Sequence, residues 1–148
     1  MNKIDDKFTK EEYDFCWSCC ALEHLGDSKK GLDFVINSLK CIKKDGFAIH
    51  TTEFNINSLN NNYDGKTYDA NNLVLYRKQD IESLKNDIEK LGHHFYPINY
   101  DIGNKVIDNY IDLPPYNNFD IGYHNGPYHL KLKIDNYITT CIGFVIKK

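Results

Sequence analysis

The segment from residue 13 to residue 55 constrains the fold of this 148-residue chain most, because it has the pattern of a strand, a polar turn, a helix and a second strand. Residues 13–19 are apolar enough for a buried strand, and apolar residues recur at helical spacing from Ser28 to about Lys43. Residues 44–46 are expected to end this helix, and residues 47–52 form a second apolar run. The pattern predicts two parallel strands joined by a helical crossover.

The rest of the chain predicts one more helix and two more strands. The helix is expected over residues 77–91, with Gly92 as its C-terminal cap. The strands are expected over residues 94–100 and 137–146, and the remainder reads as a loop (57–72) and a tyrosine-rich irregular segment. We predict a single domain over residues 1–148, of the α/β class, with a mostly parallel sheet whose last strand is antiparallel. Two helices are too few to cover both faces of such a sheet.

Four segments in this order resemble the second half of class I S-adenosylmethionine-dependent methyltransferases. Tyr-Asp-Phe-Cys-Trp-Ser (13–18) and Leu-Glu-His-Leu-Gly (22–26) resemble the fourth strand of that family and the turn after it. Residues 34–47, including Asp45 and Gly46, resemble its next helix and the entry to strand five. His-Thr-Thr-Glu-Phe-Asn (50–55) and residues 137–143 complete the resemblance. The Gly-x-Gly-x-Gly cofactor loop of the family does not occur in this sequence.

The resemblance implies a partial Rossmann-like sheet and methyl transfer from the cofactor S-adenosylmethionine to a small molecule or a sugar. It also implies that Met1 is an internal methionine of a longer ancestral enzyme and that this chain is a truncated form. A histidine near the methyl acceptor is suited to general base catalysis. The site residues that the resemblance implies are His24 and Glu23 (catalytic), Ser18 and Cys19 (cofactor), and Thr51, Thr52, Glu53 and Asn55 (substrate).

Each of these assignments has a structural alternative. Glu23 could simply cap the following helix, and residues 51–55 could make ordinary hydrogen bonds at the end of a strand. His24 and Glu53 alone are too few ligands for a metal ion, so no metal site is predicted. The alternative function is a non-catalytic fragment that acts as an oligomerising interaction module.

Composition restricts the kinds of partner and the cellular compartment that are expected for this chain. The net charge of −3 gives no electrostatic basis for nucleic acid binding. No stretch approaches the roughly 18–20 apolar residues of a membrane span, and the N-terminus lacks the features of a signal peptide. Five cysteines, an odd number, favour reduced thiols in the cytoplasm. We interpret Cys16 and Cys19 as buried, inert thiols within the first strand.

The first strand is expected to be an unprotected edge, because the family's neighbouring strand is absent. It is apolar and has only Asp14 as a charged residue, whereas natural edge strands usually carry charges, bulges or a covering segment. The sequence therefore predicts a symmetric homodimer or association with a missing N-terminal half, and otherwise aggregation. The simplest dimer pairs residues 13–19 with their own copy across a two-fold axis.

Overall fold

The computed structural model describes residues 4–116 and 130–148. In chain order these residues form strand β1 (Tyr13–Ser18), helix α1 (Ser28–Ser38), strands β2 (Ile42–Asn55), β3 (Tyr68–Ala70) and β4 (Leu73–Leu75), helix α2 (Lys78–Lys90), and strands β5 (His94–Phe95), β6 (Leu132–Ile134) and β7 (Tyr137–Lys147). A short 3-10 turn, Leu22–His24, follows β1, and another, Ile56–Leu59, follows β2. Strands β3 and β4 form a separate hairpin.

The main sheet is mixed. Its strand order is β1-β2-β7-β5, and β6 also pairs with β7. Only β1 and β2 run parallel, whereas β7 is antiparallel to β2, to β5 and to β6. The prediction of a mostly parallel, Rossmann-like sheet is therefore wrong.

Connection lengths account for the directions of two of these pairings, β1 with β2 and β6 with β7. Parallel neighbours need a crossover, and α1 supplies it between β1 and β2. Strands β6 and β7 are joined by only Asp135 and Asn136, and Asp135 adopts the left-handed conformation (φ 49°) that a tight hairpin turn requires. Strand β7 is also antiparallel to β2, with which it pairs over residues 47–55 and 139–147.

Strand β2 is longer than predicted and α1 is shorter. Helix α1 ends at Ser38, and β2 already begins at Ile42, opposite Tyr13. The next aligned pair is Phe15 with Phe47, so residues 43–46 bulge out of the ladder. At Gly46 a Cβ atom would lie 2.6 Å from the backbone oxygen of Asp14, which explains the glycine at this position. Residues 44–46 therefore shape a bulge instead of ending a helix.

Strand β5 is shorter than predicted. It stops at Phe95, and the last backbone bond to β7 is donated by the Tyr96 amide to the Val145 carbonyl (3.0 Å). Pro97 follows, and its lack of an N–H group prevents it from donating to a ladder. The expected strand over residues 94–100 is thus reduced to its first two residues.

Both helices pack on the same face of the sheet. Val35 of α1 and Ile81, Leu84 and Ile88 of α2 are buried in one cluster with sheet residues such as Phe144. Among the residues that the structure describes, the buried cluster comprises Leu22, Val35, Leu39, Ile42, Ala48, Val74, Tyr76, Ile81, Leu84, Ile88, Phe95, Phe144 and Ile146. This face therefore carries the hydrophobic core.

Strand β1 lies at the edge of the sheet, and β2 is the only strand paired with it among the residues that the structure describes.

None of the helices within residues 4–116 and 130–148 is both long and apolar enough to cross a membrane.

Candidate functional site

Glu23 and Thr52 are the two predicted site residues that the structure brings together. The Thr52 hydroxyl donates to Oε2 of Glu23 over 3.0 Å, and both side chains are buried. Thr52 lies on the helix-covered face of β2, and Glu23 reaches it from the 3-10 turn after β1. Because a buried carboxylate needs a hydrogen-bond donor, this contact holds the turn against the sheet.

His24 lies on the other side of this turn and is exposed. Its Nδ1 donates to the backbone oxygen of Asn72 over 2.9 Å, which links the turn to the tip of the β3–β4 hairpin. Glu23, next to it in sequence, points instead into the core. His24 and Glu23 therefore do not face one common cavity, and the catalytic role of His24 stays a prediction.

The remaining predicted residues make local contacts. The Thr51 hydroxyl accepts from the Cys20 amide (3.1 Å), and the Asn55 side chain accepts from the Asn57 amide (3.0 Å) and donates to the Tyr63 hydroxyl (3.1 Å). The Glu53 carboxylate accepts from the Thr139 hydroxyl, and Cys19 is exposed. Each of these hydrogen bonds is made within the protein, and a role of these residues in binding a substrate or cofactor stays a prediction.

Ser18, predicted at the cofactor edge, is instead hydrogen-bonded to a buried histidine that the sequence analysis did not single out. The Ser18 hydroxyl lies 2.7 Å from Nδ1 of His50, and Nε2 of His50 lies 3.2 Å from the Ser38 hydroxyl. Ser38 donates its own proton to the Val35 carbonyl, so it accepts from His50. His50 is therefore the tautomer protonated on Nε2, and its Nδ1 accepts from Ser18.

This serine–histidine pair has the geometry of a nucleophile and its base, but its electrostatics are unsuited to that role. His50 is only 1% exposed, and burial lowers its pKa from 6.5 to about 4. A base of this pKa accepts a proton poorly near pH 7. Its Nε2 faces a serine hydroxyl, whereas the base of a hydrolytic triad is oriented by a carboxylate. The chain Ser18–His50–Ser38 instead ties β1, β2 and α1 together.

The opposite face of the sheet has the most unusual feature of the molecule. Phe15 and Trp17 of β1 lie beside Phe47 and Ile49 of β2 in the parallel register. Phe15 is 58% exposed and Trp17 is 68% exposed. We call this surface the open aromatic face; its large apolar side chains are Tyr13, Phe15, Trp17, Phe47, Ile49 and Tyr96.

The open aromatic face continues across the sheet as far as β5. The Phe47 ring lies 6.5 Å from the Tyr96 ring, and Tyr96 packs edge-on against His94 at 4.6 Å. Val145 of β7 is paired with Ile49 and extends the apolar surface from β2 onto β7. Lys147 of β7 pairs with both Phe47 and His94, and Asp45 holds it in an exposed ion pair (2.9 Å). The face is therefore largely apolar and contains one ion pair.

The sequence signal for this face is present. In β1, aromatic residues occupy every second position, and smaller or polar residues (Asp14, Cys16 and Ser18) occupy the positions between them. Such alternation is typical of a strand with two different faces, whereas we interpreted the run as uniformly buried. Which of the two faces the helices cover cannot be read from this alternation.

A shallow groove of about 360 Å³ lies elsewhere, between residues 99–103 and β7, where Lys131 is buried. Within the part of the chain that the structure describes, no three histidine, cysteine or acidic side chains are grouped as metal ligands.

No protein-family model matches this chain, and no curated protein matches it in sequence.

Proposed function

We propose that this chain is a self-associating interaction module whose open aromatic face packs against the same face of a second copy. The observation that carries the proposal is the continuous row of large apolar side chains left exposed on one side of the sheet. Soluble proteins seldom leave such a surface uncovered unless it binds something.

The exposed area fits a second copy. The six side chains of the open aromatic face expose between 37% and 68% of their surface. At about 150–250 Å² for a whole aromatic side chain, they present about 500–600 Å² of apolar surface. Two such faces in contact would bury about 1,000–1,200 Å², at the lower end for specific protein interfaces. We therefore expect a dimer with a dissociation constant on the order of 1–10 µM.

Packing through the face accounts for more of this surface than pairing through the edge. If β1 paired with its own copy, the two sheets would join side by side, and Trp17 and Phe15 would stay in solvent. Face-to-face packing buries both side chains and keeps the contact isologous, as a two-fold axis requires. The proposed dimer thus differs from the edge-paired dimer that the sequence suggested.

Two further assignments belong to this proposal. The five cysteines are free, which fits a reducing compartment, so we place the module in the cytoplasm. Methyl transfer from S-adenosylmethionine stays an untested prediction, and no observation on the described residues favours it over self-association.

Trp17 provides the test, because it is the only tryptophan in the chain and lies on the open aromatic face. As the protein concentration rises through the micromolar range, we expect tryptophan emission to shift to shorter wavelengths and quenching by acrylamide to decrease. The control is Phe47→Asp, which keeps Trp17 but places a charge at the centre of the face, and its emission should not change with concentration. Wild-type emission that is independent of concentration and freely quenched would contradict the proposal.

A further inference from the structure

Cys20 and Cys141 form a close pair of thiols that the proposed interface does not use. Their Sγ atoms lie 3.6 Å apart although the residues are 121 positions apart in sequence. Cys141 lies on β7 opposite Glu53, and Cys20 follows β1. The pair thus connects the segment just after β1 to the middle of β7, across β2, which lies between these two strands.

The backbone holds Cys20 in this place. Its amide donates to both the backbone oxygen and the hydroxyl of Thr51, each over 3.1 Å. Cys20 also adopts the left-handed conformation (φ 43°), which folds the chain back over β2. The short distance to Cys141 therefore follows from the fold around Cys20 and does not depend on a mobile side chain alone.

The two thiols differ in accessibility. Cys141 is exposed, whereas Cys20 is partly buried. Burial raises the pKa of the Cys20 thiol to about 12, and the neighbouring Cys141 and Glu23 act in the same direction. Because Cys141 is exposed, it is the thiol that an oxidant in solution reaches first. The expectation of a buried thiol is wrong for Cys19, which is also exposed.

We propose that Cys20 and Cys141 are a reversible modification site that low-molecular-weight disulfides convert into an intramolecular disulfide. The Cys141 thiolate attacks one sulfur of glutathione disulfide and expels one glutathione thiolate, which leaves a mixed disulfide on Cys141. Cys20 then loses its proton to solvent, and its sulfur attacks the Cys141 sulfur and expels the second glutathione. Two electrons pass from the two protein thiols to the glutathione disulfide.

The test treats the full-length chain with glutathione disulfide at low protein concentration, blocks the remaining thiols with N-ethylmaleimide and maps the peptides by mass spectrometry. We expect three of the five cysteines to be alkylated, with one crosslinked peptide pair that joins Cys20 to Cys141. Because the bond closes a loop of more than a hundred residues, the oxidised protein should melt about 10 °C higher than the reduced one. Dithiothreitol should reverse both changes.

Matched serine variants distinguish the Cys20–Cys141 pair from the neighbouring Cys19. Cys19→Ser should form the crosslink as the wild type does, whereas Cys20→Ser should lose it and retain a mixed disulfide on Cys141. A crosslink between Cys19 and Cys141, a disulfide between two chains, or a wild-type protein that stops at the mixed disulfide would each overturn the proposal. The protein concentration in this test is kept well below the proposed dissociation constant of the dimer, so these outcomes are measured on the monomer.

Discussion

Phe15→Asp is expected to weaken dimerisation by about a thousandfold. Phe15 lies in the middle of β1 and is 58% exposed, so in the proposed dimer it would contact the other copy. A central aromatic residue of an interface commonly contributes 2 kcal/mol or more, and a two-fold dimer loses two copies of it. A loss of about 4 kcal/mol corresponds to roughly a thousandfold increase in the dissociation constant. Dilution calorimetry measures this constant directly.

The control for this substitution is Val106→Asp. Val106 is 92% exposed and lies just before the 3-10 turn Ile107–Asn109, away from the sheet. The substitution Val106→Asp therefore removes an exposed apolar side chain and adds the same charge as Phe15→Asp, but outside the proposed interface. We expect both variants to keep the wild-type circular dichroism spectrum, because neither site is buried. Equal dissociation constants for the two variants would show that the open aromatic face does not mediate dimerisation.

The second large effect is a loss of stability in acid that originates at His50. Burial lowers the pKa of His50 to about 4 in the folded protein, against 6.5 when it is exposed. Between these values the unfolded chain binds a proton that the folded chain does not, so stability falls as pH decreases from about 6.5 to about 4. The expected loss is about 3 kcal/mol, and below pH 4 the histidine contributes no further change.

The surroundings of His50 support a pKa that is lowered in the folded protein. Ser18 and Ser38 contact its two ring nitrogens, and the rings of Phe34 and Phe144 lie 5.9 and 5.7 Å from it. None of these four groups carries a charge that would stabilise an imidazolium. Burial is accordingly the cause of the lowered pKa.

Urea unfolding at a series of pH values measures the effect against the variant His50→Gln. Glutamine retains hydrogen-bonding groups but does not titrate, so the variant should be less stable at pH 7 yet lose about 3 kcal/mol less between pH 7 and pH 4. Acidic groups elsewhere contribute equally to both proteins and cancel in the comparison. If the two proteins lose stability in parallel over this range, His50 is not the acid-sensitive group.

Local periodicity predicted α2, the start of α1 and the parallel pair well, because these depend on residues close in sequence, but it extended α1 to about Lys43, beyond its end at Ser38. Apolar spacing placed α2 within one residue of its observed ends, and the strand–helix–strand unit gave β1, α1 and β2. The sequence signal failed at residues 43–46, where Asp45 and Gly46 resemble the end of a helix. There the left-handed Asp45 (φ 67°) instead belongs to a bulge in β2.

The direction and pairing of the later strands depend on contacts between residues that are far apart in sequence. The turn at Asp135 and Asn136 lies in a polar stretch that resembles several others in this asparagine-rich chain, so the hairpin of β6 and β7 was not predicted. The contact between Ser18 and His50 joins residues 32 positions apart, and the contact between Cys20 and Cys141 joins residues 121 positions apart. Only the folded sheet brings these side chains together.

The central claim is that the open aromatic face is covered by a second copy of the chain, and sedimentation equilibrium over a range of protein concentrations tests it most directly. One chain has a mass of 17.3 kDa. The predicted result is a mass that approaches twice this value above about 10 µM and falls towards it on dilution. The sample should contain reducing agent, so that no disulfide contributes to association. A mass that stays at 17.3 kDa well above this concentration would contradict the account.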